Sequence, residues 1–425
     1  MAHYRRDSDT ISGITLRTAM ALFGVAMLMT ICAAPAARAQ TLNVLHTFTG
    51  GIDGGTPYSG LTMDAAGNLY GVTNGGGIQN YGVVFKMTAT SSGWRFSTLY
   101  HFHGGSDGAY PGASPIFGPD GALYGTTGGG GGSANCSGGC GTVYRLTPPL
   151  SACKTALCEW SETVIYRAAQ NYGYGVVGQV VFDGSRDMYG AVAGGGANNG
   201  GFVFELSPHG GGWTSQLIYS FDPNDDGCND PEAGLVFDSA GNLYGTANTG
   251  CGLSGGVYEL SPSANGWTET VVRYFNDLTD GSGSEAPLIA DGHGGFYGTT
   301  FDLGPNNGGT VFQLTPSDQG WQFSIVWAFN EFDDNGHVLL DPVTLDAAGN
   351  LYGTTFECGG GDGAIFKLSP SSNGWTETVL YRFTGGDDGG VPWSSAIMDA
   401  QGNLYGTTSR GGGPQQDGVV WQLTP

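Results

Sequence analysis

The sequence has 425 residues, of which 79 are glycine, 12% are charged and 12% are aromatic. Plentiful aromatic residues argue against a disordered chain, and the many glycines are typical of turns in an ordered all-β fold. With 14 basic and 37 acidic residues the formal charge is −23, a field that repels phosphate and argues against nucleic acid as a partner.

The first 39 residues have the pattern of a cleaved secretory signal peptide. Arg5 and Arg6 begin a basic region, residues 18–34 are mostly apolar, and Ala37-Arg38-Ala39 places small residues before a cleavage point at Gln40. The apolar run is short for a membrane span, so we expect its removal and no later contact with a membrane. The mature chain, residues 40–425, is then secreted, either extracellular or periplasmic. It loses four basic and two acidic residues, which leaves a charge of −25.

The mature chain consists of seven copies of one unit. A Tyr-Gly step recurs every 53 to 65 residues, at Tyr70, Tyr124, Tyr189, Tyr244, Tyr297, Tyr352 and Tyr405. A second marker of the form Val-Phe-x-Leu follows each step, beginning at Val84, Val143, Val203, Val257, Val311, Ile365 and Val420. A third marker, a tryptophan that opens a strand, occurs six times, at Trp94, Trp160, Trp213, Trp267, Trp321 and Trp375.

Each unit predicts four short strands, named A to D, in an antiparallel meander. Period-two alternation in strand D predicts that Trp375 and Phe383 share one face. Residues 42–48 match a strand D without its tryptophan, and the chain stops at Pro425, just after the seventh strand C. We therefore predict an all-β, seven-bladed β-propeller of four-stranded antiparallel blades. Its last blade is closed 3+1 by the N-terminal strand.

Three segments of this unit resemble a known repeat. They are Gly234-Leu-Val-Phe-Asp238, Asn242-Leu-Tyr-Gly-Thr246 and Gly374-Trp-Thr-Glu-Thr-Val-Leu-Tyr-Arg-Phe383. With the Val-Phe-x-Leu marker they resemble the GloVer tandem-repeat family, called "choice-of-anchor" because its members end in various surface-sorting tails. The resemblance spans residues 40–425, and the strand order is similar to NHL-type blades. It implies a propeller fold and export, without an established activity. Because Leu423-Thr-Pro425 is no sorting tail, we expect free secretion.

The loops between strand D and the next strand A are acidic. They share one face of a propeller with the B–C loops, and six of them carry an aspartate, at Asp53, Asp107, Asp226, Asp280, Asp334 and Asp388. One hypothesis is an acidic ring at the channel mouth that binds a ligand or Ca²⁺ through carboxylate oxygens. The alternative, which we favour, is turn chemistry repeated with the blade, with no cofactor. The third unit instead has Tyr172 and Tyr174, which line a ligand site or mark a diverged blade.

Seven mature cysteines in an exported chain allow disulfides. Three pairs are close in sequence or share a face, and we predict the bridges Cys228–Cys251, Cys136–Cys140 and Cys153–Cys158. A zinc site formed by Cys136, Cys140, Cys153 and Cys158 is disfavoured, because the loops that carry the two pairs lie on opposite faces. Cys358 is left without a predicted partner.

The sequence gives no catalytic residue. The mature histidines lack a metal-binding spacing, and neither a nucleophile elbow nor a phosphate-binding loop occurs. We predict a monomeric, non-catalytic propeller that binds an extracellular glycan or protein partner through its D–A/B–C loop face. Two alternatives stay open. One is an extracellular polysaccharide hydrolase or lyase with its site at the channel mouth, and the other is a structural scaffold.

Overall fold

A computed structural model describes residues 40–132, 138–149, 159–168, 175–176, 178–224, 227–252, 254–331, 338–356 and 361–424. Gln40–Thr424 form one structural unit. The expected signal peptide lies outside the described residues. In the part of the chain that is described, no helix is long and apolar enough to cross a membrane.

Seven four-stranded antiparallel sheets form the blades of a β-propeller, as predicted. Strands A are Thr62–Met63, Ile116–Phe117, Val181–Phe182, Val236–Phe237, Ile289–Ala290, Thr344–Leu345 and Ile397–Met398. Strands B are Leu69–Thr73, Leu123–Thr127, Met188–Val192, Leu243–Ala247, Phe296–Thr300, Leu351–Thr355 and Leu404–Thr408. Strands C are Val83–Thr90, Thr142–Thr147, Phe202–His209, Gly256–Ser263, Asn307–Ser317, Ala364–Ser371 and Val419–Thr424. Strands D are Gly93–His101, Ser161–Arg167, Gly212–Ser220, Gly266–Tyr274, Gly320–Asn330, Gly374–Arg382 and, completing blade 7, Thr41–Thr47.

The ring closes through the N-terminal strand. Thr41–Thr47 pairs antiparallel with Val419–Thr424, in a register that runs from Thr41 opposite Thr424 to Thr47 opposite Val419. The predicted 3+1 closure is therefore confirmed. This pairing covers the edge of Val419–Thr424 at the point where the two ends of the chain meet.

The core of each blade is one aromatic side chain from strand C packed over one glycine from strand B. These aromatic residues are at most 1% exposed, and they are Phe85, Tyr144, Phe204, Tyr258, Phe312, Phe366 and Trp421. In blade 6, a Cβ added to Gly353 would lie 2.5 Å from Cζ of Phe366. The Tyr-Gly step thus repeats because only glycine leaves room for the aromatic ring.

Neighbouring blades meet through a second aromatic pair. The strand B tyrosine of one blade meets the strand D tryptophan of the next edge-on, as in Tyr244–Trp321 at 5.5 Å and Tyr405–Trp94 at 5.7 Å between ring centroids. A β-bulge interrupts the pairing of strands C and D in blade 6. The prediction that Trp375 and Phe383 share a face is therefore wrong. Trp375 packs towards blade 5, whereas Phe383 contacts Trp421 of blade 7.

Candidate functional site at the channel mouth

The acidic D–A loops use their aspartates for their own turns. The carboxylate of Asp107 accepts hydrogen bonds from the His103 backbone N–H and the Tyr100 hydroxyl, both at 2.9 Å. The other described members make the same two kinds of contact, with a residue four earlier and a residue seven earlier: Asp53, Asp280 and Asp388. None of these four aspartates lines the central cavity. Their geometry favours the turn interpretation.

The two remaining members of the predicted ring, Asp226 and Asp334, lie outside the described residues, as do Tyr172 and Tyr174. Within the described chain, no group of three or more His, Cys, Asp or Glu side chains is placed to hold a metal ion. Calcium binding, the hypothesis that the sequence analysis did not favour, is therefore neither supported nor contradicted by the contacts among the described residues.

The central channel opens into a cavity of about 1030 Å³ on the D–A/B–C face. Most of its lining comes from the five residues that lead into each strand A, which we call the inner loops. They are residues 56–60, 110–114, 175–179, 230–234, 283–287, 338–342 and 391–395. All seven blades therefore contribute to one site.

The first residue of every inner loop has a left-handed backbone, whatever its type. Its φ lies between 26° and 64°, at Thr56, Tyr110, Gly175, Asp230, Gly283, Val338 and Val391. In blade 7 the Val391 N–H donates to the Asp362 carbonyl of blade 6 at 2.7 Å, and its carbonyl accepts from the Ser409 N–H of its own blade at 3.1 Å. This conformation is unfavourable for β-branched residues such as valine, so these hydrogen bonds fix the loop between adjacent blades.

The third residue of the inner loop lines the cavity in each blade where it is described. Its six described members include five residue types, and they are Tyr58, Gly112, Glu232, Glu285, Leu340 and Trp393. Residue 177 of blade 3 lies outside the described residues. Because the blades follow one another around the ring, Trp393 and Tyr58 are neighbours and lie opposite Glu232 and Glu285.

The wall formed by blades 6, 7 and 1 is aromatic. The rings of Tyr58 and Trp393 meet edge-on with centroids 4.9 Å apart, and Phe356 contacts Trp393 at 5.1 Å. Tyr58 is 37% exposed, a large value for an aromatic side chain beside a cavity. This wall offers apolar ring surface to a ligand in the channel mouth.

The opposite wall is acidic. Nδ2 of Asn248 donates to Oε2 of Glu232 at 3.2 Å and to Oε1 of Glu285 at 3.3 Å, so one amide holds both carboxylates. Burial and the charges of Glu285 and Asp230 raise the pKa of Glu232 to about 7. Burial and the charge of Glu285 likewise raise the pKa of Asp341 to about 7, although the Ser395 N–H donates to its carboxylate. No lysine, arginine or histidine is among the described residues that line this cavity.

The cysteine predictions concern the same face. A disulfide joins Cys228 to Cys251, with their Cα atoms 4.2 Å apart, and links the D–A and B–C loops of blade 4 as expected. Cys140 is disulfide-bonded, but its predicted partner Cys136 lies outside the described residues. Cys153, Cys158 and Cys358 also lie outside the described residues.

Comparison with solved structures supports the fold. The chain is similar to the extracellular domain of a proposed one-component system of B. thetaiotaomicron, with 10% identity and a TM-score of 0.53. That match covers 90% of this chain but 40% of the other, so this chain spans less than half of that protein. A PL25 ulvan lyase, a polysaccharide lyase, matches at 12% identity and a TM-score of 0.50, over 90% of this chain and 95% of the other.

A search of curated proteins found no significant match. The chain does match a protein family, the Gloeobacter/Verrucomicrobia repeat, over residues 9–163, 135–338 and 289–425. Together these three segments span nearly the whole chain, and the repeat recognised in the sequence is the same unit that builds each blade. The chain therefore belongs to the Gloeobacter/Verrucomicrobia repeat family.

Proposed function

We propose that this protein is an exported, non-catalytic binding propeller that holds an extracellular saccharide at the mouth of its central channel. The observation that carries the proposal is the aromatic wall of Tyr58 and Trp393 facing the carboxylates of Glu232 and Glu285 across one cavity. A sugar ring has an apolar face suited to aromatic rings and hydroxyl groups suited to carboxylate and amide acceptors.

The dimensions and rigidity of the cavity support binding. Its volume of about 1030 Å³ is close to that of typical ligand pockets, which measure roughly 300–1,000 Å³. In six of the inner loops, the hydrogen bonds that fix the first residue hold the third residue in place before a ligand arrives. A preorganised site loses less entropy on binding than a flexible one. The disulfide between Cys228 and Cys251 is in keeping with an oxidising compartment outside the cytoplasm.

The test is a glycan array probed with the mature chain, residues 40–425, with and without EDTA. We expect saturable binding without turnover, and a loss of affinity of tenfold or more, by order of magnitude, in Tyr58→Ala and Trp393→Ala. The matched control is Tyr110→Ala, since Tyr110 is another exposed tyrosine, 42% accessible, that does not line the cavity. Unchanged glycan binding in both cavity variants would overturn the proposal, as would binding to protein partners alone. Loss of glycan binding on adding EDTA would indicate that the site also requires a divalent cation such as Ca²⁺.

An extracellular hydrolase or lyase is the second candidate. It is favoured by one observation, namely two cavity carboxyl groups, Glu232 and Asp341, whose pKa is raised to about 7, the range that suits general acid–base catalysis. The polysaccharides that bind on the array would be incubated with the protein and assayed for new reducing ends or unsaturated products. Product formation that Glu232→Gln or Asp341→Asn abolishes would replace the binding proposal with an enzyme. The absence of both binding and turnover would favour a structural scaffold.

A further inference from the structure

A second cavity, of about 650 Å³, lies between blades 2 and 3 and is open to the A–B and C–D loops. By the strand order this is the face opposite the channel mouth. Asp120 in the A–B loop of blade 2 lines it, and Arg145 from strand C of that blade lies beside it. On the other side, Arg186 lines it from the A–B loop of blade 3 and His209 from the end of strand C of that blade. We call this cavity the basic groove.

The basic groove brings three basic side chains together in a strongly acidic protein. Arg145, Arg186 and His209 come together here, although only ten lysines and arginines follow residue 39. The other described blades place different residues at the same three positions. Strand C has Lys86, Glu205, Glu259, Gln313, Lys367 and Gln422. The A–B turn has Gly67, Gly121, Gly241, Gly294, Gly349 and Gly402, and the C–D hairpin has Thr90, Pro149, Ser263, Ser317 and Ser371. In the described chain no other pair of blades combines three basic side chains at these positions.

Arg186 is present at a cost to local stability. It stands where the six other A–B turns have glycine, and its φ of 76° matches the 76–90° of those glycines. A left-handed conformation is unfavourable for a residue with a side chain. Glycine at this position would serve the turn better, so the requirements of the turn do not explain the arginine.

Of the two arginines in the basic groove, Arg186 is the one whose charge is available to a ligand. Arg145 is already neutralised, because its Nη2 lies 2.6 Å from Oδ2 of Asp120 and its Nε donates to the Tyr124 hydroxyl at 3.0 Å. Among the described residues, the Arg186 side chain has no ion pair, and the nearby Asp183 carboxylate accepts from the backbone N–H groups of its own turn. Arg186 is exposed at the rim of the basic groove.

We propose that the basic groove binds an oxyanion, a carboxylate or sulfate group, through the guanidinium of Arg186 with His209 beside it. Arginine recognises such groups through paired hydrogen bonds, which are strongest where one wall is apolar. The rings of Trp213 and Tyr124, 6.0 Å apart, supply that wall. The oxyanion is either a free ion or part of an acidic sugar. Only a sugar has an apolar ring face that would pack against the aromatic wall.

The experiment titrates the mature protein with sodium sulfate, sodium glucuronate and glucose by calorimetry at low ionic strength. We expect glucuronate to bind, sulfate to bind more weakly and glucose not to bind. Equal affinity for sulfate and glucuronate would assign the site to a free anion. The absence of binding by both anions would overturn the proposal.

The decisive variant is Arg186→Gly, which restores the turn residue of the other blades. We expect anion affinity to fall by about tenfold or more, because the charged hydrogen bonds of the guanidinium are lost. The melting temperature should stay equal or rise, which separates a binding role from a structural one. The control is Arg95→Ala, which removes a positive charge from an exposed position on strand D of blade 1 and should leave affinity unchanged. Unchanged affinity in Arg186→Gly, or an equal loss in both variants, would refute the site.

Discussion

The strand C core and the inner loops differ in how similar their residue types are from blade to blade. At the core position every blade has an aromatic side chain that is fully buried, from Phe85 in blade 1 to Trp421 in blade 7. At the third position of the inner loop the described blades have tyrosine, glycine, glutamate, leucine or tryptophan. The core position is always aromatic, whereas the third inner-loop position has almost as many residue types as there are blades.

The difference follows from what each side chain contacts. The core ring fills the space above a strand B glycine, so a change on either side leaves a void or a clash. The third inner-loop residue faces a cavity, and the backbone hydrogen bonds to the adjacent blades are made by the first residue of the loop. Its side chain can vary without loss of the fold. Stability should therefore depend on the repeated positions and ligand specificity on the varied ones.

The largest effect that tests this division is the removal of residues 40–48. The deletion unpairs Val419–Thr424 and removes the buried Phe48 together with Leu42 and Leu45. Burial of one such side chain contributes about 1.5–3 kcal/mol, so we expect a loss of roughly 5 kcal/mol or more. Thermal unfolding by circular dichroism should lose its single cooperative transition. Val44→Thr, at a position that is 38% exposed in the same strand, should leave the transition in place. A deletion variant that melts within a few degrees of the parent would show that closure is dispensable.

A smaller effect is expected from one methyl group in the core of blade 6. In Gly353→Ala the new Cβ would lie 2.5 Å from the ring of Phe366, and we expect a loss of about 1–3 kcal/mol from overpacking. Gly184→Ala in an A–B turn is the matched control, because nothing lies within 4 Å of its added Cβ. Urea unfolding of both variants measures the difference. Equal stabilities would mean that the glycine repeats for a reason other than the space taken by the ring.

The sequence predicts the repeated part of the molecule well and the varied part poorly. Blade number, strand order, ring closure and the Cys228–Cys251 bridge follow from spacing alone, because each repeats or pairs in the chain. The face change in strand D was missed, since a single-residue bulge leaves no mark on a period-two pattern.

The cavity wall was missed for a different reason. Glu232, Tyr58 and Trp393 share no motif and come from separate blades, so only the closed ring brings them to one place. The aspartates of the D–A loops were conspicuous because they repeat, and repetition here reflects a turn. A comparison of the seven units for the position that fails to repeat would have found the third residue of the inner loop.

The smallest predicted effect tests whether the varied positions carry a cost in stability. Burial raises the pKa of Glu232 and of Asp341 to about 7, above their ordinary values of 4.5 and 3.8. Between about pH 4 and pH 7 the folded protein therefore holds protons that the unfolded chain releases, and stability falls as the pH rises through this range. We expect the double variant Glu232→Gln/Asp341→Asn to match the parent at pH 4. At pH 8 it should be more stable by about 1 kcal/mol. Each pKa unit corresponds to at most about 1.4 kcal/mol, and solvent in the open cavity screens most of this for both carboxyl groups.

Melting temperatures from pH 4 to pH 8 measure this change, with Glu331→Gln, at an exposed position, as the control. If the double variant and the parent gave parallel curves, the carboxylates would be ionised in the folded state without cost. The acidic wall would then be an ordinary solvated surface. If the curves diverge as expected, the chain retains a destabilising cluster at the channel mouth that the fold does not need. Such a cluster is expected where a ligand supplies the missing interactions.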